Sequence, residues 1–438
     1  MQPLRWSCLS TLLWNYQKQC SPMIIRKSPL YIFSPVIYLL LLTRASLDPI
    51  LKMTDFGGIS FGALLNLAVI VFFFGGLLQN RGSIPASVLK LWAGFLVVGL
   101  ISIVISPTPV TSFRSFVSVL TYFAIFSLAY TFVRSREDLE SIIKLIIYSS
   151  SIPFAVSIVQ FAFPETSTTR HGFRLHGTFS HPNIYAFYLV LIAAVSFYSI
   201  KSNMVFFSKR FIRLCTALIP LSAICVIATQ TRSAWVAFFA IFFIYGILYE
   251  RKYVVLMCCI GVLALFLPFV QDRIADLASD SQITDSGGEK LNSYAWRKVV
   301  WLSSWEFIQN KIFFGHGYNT FAYYFLDFFT MEESHGFDAH NAYVQIAFDM
   351  GFMGLFFYLV LLIGILLKHL KSFAKDPKGN SVLLALICSY MVVCYSDNIL
   401  FYLSYCWYLW LLLGASCAML EKRVKKRLLV HTDWINKL

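Results

Sequence analysis

Long apolar runs limit what this chain can fold into more than any other feature. Twelve of them recur, near 29–43, 56–79, 85–106, 112–133, 137–163, 181–200, 211–228, 233–250, 252–270, 341–367, 381–397 and 399–420. A helix of about 20 apolar residues crosses a hydrocarbon core of about 30 Å. Backbone in lipid must satisfy its own N–H and C=O groups, so such runs become helices. Composition agrees: 58% of the 438 residues are hydrophobic and only 13% are charged, where a soluble chain carries about 25% charged residues. The expected fold is an all-α polytopic membrane protein with about 12 transmembrane helices. The turn Tyr395-Ser-Asp-Asn398 either separates the last two runs or kinks one span. The first 27 residues lack a basic–apolar–cleavage order, so no signal peptide is read there.

The net charge of +14 does not point to nucleic acid, because of where it sits. With the N-terminus inside, 25 of the 36 basic residues fall on or beside alternate loops, including Lys201, Lys209, Arg210, Arg213, Lys371 and the tail Lys422-Arg-Val-Lys-Lys-Arg427. This is the positive-inside pattern, and a basic tail of this kind suits anionic membrane lipids. The expected order is a cytoplasmic tail at 1–28, nine spans within 29–270, a large outer loop at 271–340, three spans within 341–420 and a basic cytoplasmic tail at 421–438. The ten cysteines lie in apolar runs or the N-terminal tail, so no disulfide framework or Cys-based metal site is expected.

Two outer loops stand out, 163–183 and 271–340. They hold six of the eight histidines: His171, His176, His181, His316, His335 and His340. Loops this long in a compact protein are usually functional or disordered. In the second, Trp301, Trp305 and Ile308 recur at helical spacing, predicting a partly helical cap, while 279–288 reads as a flexible linker. The His171/His176/His181 and His335/His340 spacings of five do not share a helix face, where ligands recur at three or four. Asp272, Asp276 and Asp280 do repeat at four, but a solvated helix face is the plainer meaning. No metal is expected.

His340 stands in "DAHNAYVQIAFDMG" (338–351), where an acidic loop becomes an apolar run. It is either an interfacial cap or a base. Asp338 is a plausible N-cap, which would place His340 in the first turn of the tenth span. The helix dipole there disfavours imidazolium; the Asp338 carboxylate favours it. Arg232, inside "TQTRSAW", snorkels at an interface or meets an anion. Arg297, in "SYAWRKVVW", is a surface charge or the same. Arg170 and Arg174 lie in the first loop, and Arg presents a planar fork suited to phosphate oxygens. Asp349, well inside the tenth run, would pair with an Arg or line a cavity.

The segments "FRLHGTFSHPNIYAFYL" (173–189), "TQTRSAW" (229–235), "WRKVVWLSSWEFIQNKIFFGHGYNTF" (296–321) and "HNAYVQIAFDMGFMGLFFYLV" (340–360), in this order, resemble the O-antigen ligase family, which includes related polymerases of surface polysaccharides. The resemblance implies a GT-C-like, inverting, metal-independent glycosyltransferase without cofactor. It implies an undecaprenyl-diphosphate-linked glycan as donor, and lipid A-core or another lipid-linked glycan as acceptor. By motif, His340 would be the general base and Arg232 and Arg297 the diphosphate contacts. Arg174, His181, Asn183 and Asn341 complete the expected substrate-binding set. The resemblance places the protein in a bacterial inner membrane, with both termini cytoplasmic and the active site periplasmic. A chain-length regulator or other assembly proteins fit as partners. The competing class is a multi-span transporter or anion permease, whose signs are broken half-spans and midplane charges; here the ionisable residues gather at the outer surface.

Overall fold

A computed structural model describes residues 35–48, 51, 55–56, 59–79, 84–169, 172–266, 268, 270–271, 275, 293–329 and 335–435. The tail 1–28, the linker 279–288, the row Asp272, Asp276 and Asp280, and Arg170 and His171 lie outside the described residues, as do the side chains of the basic tail. The helices are α1 (Pro35–Thr43), α2 (Phe61–Gln79), α3 (Ala86–Val104), α4 (Pro109–Phe132), α5 (Arg136–Ser149), α6 (Ser151–Ala162), α7 (Pro182–Lys201), α8 (Lys209–Ala228), α9 (Arg232–Leu248), α10 (Lys252–Ala264), α11 (Ser293–Asn310), α12 (Phe321–Phe328), α13 (Ala342–Lys371), α14 (Pro377–Ser396) and α15 (Leu403–Ile435). Two hairpins of two-residue strands, Asp55–Phe56 with Ile59–Ser60 and Thr168–Thr169 with Gly172–Phe173, and short 3-10 turns at Pro164–Ser167, Phe373–Lys375 and Ile399–Phe401 complete the described structure.

The described parts of the apolar runs are largely helical, and the chain is an all-α polytopic membrane protein. Among the described residues eight segments are long and apolar enough to span: α3, α4, α5 with α6, α7, α8, α13, α14 and Leu403–Glu421 of α15. Phe61–Gly75, Arg232–Leu248 and Lys252–Ala264 are shorter apolar helices. The run 137–163 breaks at Ser150, close to Pro153, which has no N–H to give a continuous helix. α7 and the spanning part of α15 are the most enclosed elements, 89% and 94% buried, and Trp92, Trp407 and Trp410 lie fully inside with them. Those helices form the wall to which the polar ends are anchored.

The loops sort to two ends of the bundle. At one, Lys201 pairs with Glu250 (2.6 Å), the Ser202 hydroxyl donates to Asp376 (2.6 Å), the Phe206 N–H donates to Glu140 (2.7 Å), and Lys368 pairs with Glu421 (3.1 Å). At the other, the Leu175 N–H donates to the Ala228 carbonyl (3.0 Å), Thr178 donates to the Ala45 carbonyl (2.8 Å), and Asn319 Nδ2 donates to Ser115 (2.9 Å). The alternation of loops along the sequence thus becomes a separation in space. A cysteine at exposed Thr166, in a background whose native cysteines are replaced, is expected to react with an impermeant thiol reagent in intact spheroplasts. One at exposed Asn203 is expected to be protected until the membrane is opened. The reverse result would invert the assignment of ends.

The apolar run at 341–367 is not one regular helix. At Gly351 the backbone of α13 turns to φ 66°, ψ −175°, which only glycine adopts at low cost. The break frees peptide groups, and the segment 312–317 pairs with them. His316 and Gly317 N–H donate to the Phe348 and Asp349 carbonyls (2.9 and 3.0 Å), and Phe352 and Met353 N–H donate to the Ile312 and Phe313 carbonyls (2.8 and 3.2 Å). The approach leaves no room for side chains: a Cβ on Gly315 would sit 2.5 Å from the Asp349 backbone, and one on Gly351 would strike Phe313. This explains the glycines of "FFGHGYN" as packing residues. Among the described residues Asp349 forms no ion pair with an arginine, contrary to one of the two sequence expectations. Its carboxylate accepts from the N–H groups of Asn319 (2.9 Å), Thr320 (3.1 Å) and Phe321 (3.2 Å) and from Gln345 Nε2 (3.0 Å). A buried carboxylate needs such donors, and here it pins the start of α12 to α13.

Candidate active site

His340 lies at the second end of the bundle, immediately before α13. The N-cap is Asn341, not Asp338: its Oδ1 accepts from the N–H groups of Tyr343 (3.0 Å) and Val344 (3.1 Å). His340 therefore precedes the helix instead of occupying its first turn, and its backbone is left-handed at φ 48°. A non-glycine residue in that region costs free energy and persists only where its surroundings determine it. The surroundings are visible. Trp301 Nε1 donates to the Ala339 carbonyl (2.7 Å), Gln345 Oε1 accepts from the Ala339 N–H (3.0 Å), and the Trp296 ring stands edge-on to the imidazole at 6.2 Å. Two contacts on the peptide before it and a cap on the residue after it fix the ring's point of departure.

Charge around the ring now answers what the sequence left open. Burial, foremost, and the Arg297 guanidinium hold His340 below the ordinary imidazole range, and the opposing pull of Asp397 and Asp338 is the weaker. At neutral pH the ring is a neutral base. Arg297 belongs to the same face of α11 as Trp301, one turn away, and its guanidinium donates to the Ser396 carbonyl at the C-terminal end of α14 (2.8 Å). That is where a helix favours a cation.

Asp397 follows directly and is almost fully buried, with 1% of its surface exposed. Its carboxylate accepts from Asn183 Nδ2 (3.1 Å), the Asn398 N–H (3.0 Å) and the Tyr402 hydroxyl. Asn183 in turn accepts at Oδ1 from the Arg174 guanidinium (3.1 Å) and the Thr231 hydroxyl (3.2 Å). Arg174 also donates to the Thr229 carbonyl (3.0 Å). Thr231 is the residue before α9, so Arg232 occupies the first helical position beside this network. The structure thus draws Arg174, Asn183 and the start of α9 toward Asp397, and Asp397 toward Arg297 and His340. His181 is more distant in role: exposed, it caps α7 by accepting the Asn183 N–H at Nδ1 (3.1 Å).

The remaining described outer-loop histidines have packing roles. His176 bonds the Phe179 carbonyl (3.0 Å). His316 is buried, bonds the Phe307 carbonyl (2.7 Å) and stacks on Phe348 at 4.6 Å; burial keeps it below its usual pKa. Among the described residues no three His, Cys, Asp or Glu side chains form a metal-holding group. Sequence reasoning missed Asp397, Gln345, Thr231 and Trp301. The first had a signal: an acidic residue in a short break between two spans, where ionisable groups are rarely idle.

Such an arrangement, with arginines, a neutral imidazole and a buried carboxylate at one end of a helical membrane bundle, defines a polytopic protein with a polar centre suited to an anionic ligand. Residues 217–359 match the family model described as O-antigen ligase (Wzy_C), over roughly a third of the chain. A domain at these residues is thus similar to the O-antigen ligase family, which the sequence motifs also resemble, and it sits in a polytopic membrane protein. The domain runs from α8 to just past the break in α13 and includes Arg232, Arg297 and His340. Arg174, His181, Asn183 and Asp397 lie outside it. No curated protein matched the chain.

Proposed function

We propose that the protein is an inverting, metal-independent glycosyltransferase that moves an undecaprenyl-diphosphate-linked glycan onto an acceptor sugar at the periplasmic face of a bacterial inner membrane. The O-antigen ligase domain supports glycosyl transfer in general, in ligase or polymerase form. The observation that carries the finer reading is His340, kept neutral beside Arg297 in a backbone conformation that its neighbours enforce.

The step follows from that placement. The acceptor hydroxyl gives its proton to the imidazole as its oxygen attacks the anomeric carbon. The C–O bond to the diphosphate breaks on the opposite face, and the electron pair leaves with undecaprenyl diphosphate. One displacement inverts the anomeric centre. A hydroxyl is a poor nucleophile, so a positioned base contributes about 10²–10⁴-fold. The leaving group is already anionic and needs charge stabilisation more than a proton. Arg297 and Arg232 would supply it, with forks that match phosphate oxygens. Asn183 and Arg174 would position the donor through the network on Asp397. The positive-inside bias favours the periplasmic assignment of this end.

Purified protein in liposomes is expected to attach glycan from an undecaprenyl-diphosphate-linked donor to an added acceptor, with release of undecaprenyl diphosphate. Uptake of labelled solute without transfer would favour the permease class instead. Deleting the gene in the native host separates the two enzyme forms: single repeats on the acceptor indicate a polymerase, and long chains stranded on the lipid carrier indicate a ligase.

A further inference from the structure

One buried side chain bridges the loop before α13, the turn after α14 and the carboxylate of Asp349, yet has no part in the chemistry above. Gln345, 1% exposed on the first turn of α13, makes three hydrogen bonds. Its Oε1 accepts from the Ala339 N–H (3.0 Å) and from Asn398 Nδ2 (3.0 Å), and its Nε2 donates to Asp349 Oδ2 (3.0 Å). The orientation of the amide is not arbitrary. A backbone N–H can only donate, so the oxygen must face Ala339, which leaves the nitrogen toward Asp349. The same logic turns the Asn398 amide, leaving its Oδ1 buried without a partner. That is an unfavourable arrangement, and it persists because Gln345 uses the nitrogen.

We infer that Gln345 is a positioning residue for His340: it holds the loop carrying the base at a set distance from the Asp397 turn and from the docked segment 319–321. The inference rests on the reading of His340 as the base. Ala339 and Asn398 are the chain neighbours of His340 and Asp397, so one amide sets the spacing of a histidine and a carboxylate 57 residues apart in sequence. Through Asp349 the same amide reaches the peptide groups that open α12. The start of α12 is thereby tied to the loop of the base through three successive hydrogen bonds. Errors of about 1 Å at a reacting centre can cost on the order of 10²-fold in rate.

Two variants of the full-length protein in liposomes test this. Gln345→Met keeps length and volume and deletes all three bonds. Gln345→Glu keeps the oxygen toward Ala339 and Asn398, and with one proton shared with Asp349 it keeps the third contact too. Turnover of Gln345→Met is expected to fall roughly 10–100-fold, with binding of the undecaprenyl-diphosphate-linked donor within about threefold of the parent. Its acid limb is expected to move up toward the ordinary histidine range, because the loosened ring leaves its buried place beside Arg297, Asp397 and Asp338. Gln345→Glu is expected to recover most of the turnover near neutral pH. It should also acquire a falling alkaline limb absent from the parent, as the carboxyl pair loses its proton and separates. Parental turnover and acid limb in Gln345→Met would overturn the inference. So would equal losses in both variants with an unmoved limb, which is the signature of a packing residue. Failure of the base assignment is read separately, from His340→Gln.

Discussion

His340→Gln is expected to insert and fold normally, to bind the lipid-diphosphate donor, and to lose on the order of 10²-fold or more in transfer rate. Glutamine keeps a polar side chain of similar reach but cannot take a proton at neutral pH. The left-handed backbone at this position, φ 48°, calls for a second variant. Asparagine adopts that region more readily than most residues, so His340→Asn removes the base with little added strain. If the two variants lose turnover alike, the loss belongs to the chemistry. The parent's activity should rise with pH as the ring deprotonates. Because burial and Arg297 depress its pKa, the midpoint of that limb should fall below the usual imidazole value of about 6.5, and both variants should lack it. Asn341→Ala acts on another link. It removes the cap of α13, costing about 1 kcal/mol of stability, and disturbs the ring only through its neighbour, so its loss of rate should be milder. A well-folded His340→Asn enzyme with near-parental turnover would remove His340 from the mechanism and turn the search to Asp338 in the same loop.

The comparison of His340 with Asp397 shows what sequence reasoning can reach. Helices were legible because lipid allows little else, and a stretch with tryptophans at helical spacing became α11 for the same periodic reason. Arg297 and His340 were visible as candidates because each stands in a motif that resembles the O-antigen ligase family. The partners that give them meaning were not. Asp397 meets Asn183 across 214 residues of chain, and no local rule relates the two. The N-cap was misplaced for a subtler reason. Asp338 and Asn341 are both good capping residues three positions apart, and the choice between them was made by Trp301 and Gln345, which grasp Ala339 and keep the chain out of the helix as far as Asn341. The break in α13 was hidden inside one apolar run because its broken hydrogen bonds are replaced by a distant segment, 312–317, whose glycines were visible and whose destination was not.

Arg297→Gln is expected to lose on the order of 10²-fold in turnover, the usual scale for one preorganised donor facing developing charge. Two effects combine in that number. The diphosphate loses a forked contact as its charge grows, and His340 loses the cation that helps keep it neutral, so its acid limb should move upward. Arg297→Lys separates them. Lysine restores the positive charge, so the limb should stay near its parental position. Turnover should nonetheless fall at least about tenfold, because a single ammonium cannot reproduce the planar fork while also serving the Ser396 carbonyl that Arg297 holds at 2.8 Å. Arg232→Lys, at the first position of α9, should lose rate comparably and leave the limb in place, since lysine keeps the positive charge. With arginines neutralising the leaving group, EDTA should leave all of these activities unchanged. Full turnover of both lysine variants, or a strict need for added Mg²⁺ or Mn²⁺, would overturn this account of the leaving group. It would also return Asp272, Asp276 and Asp280 to consideration as a metal-binding row.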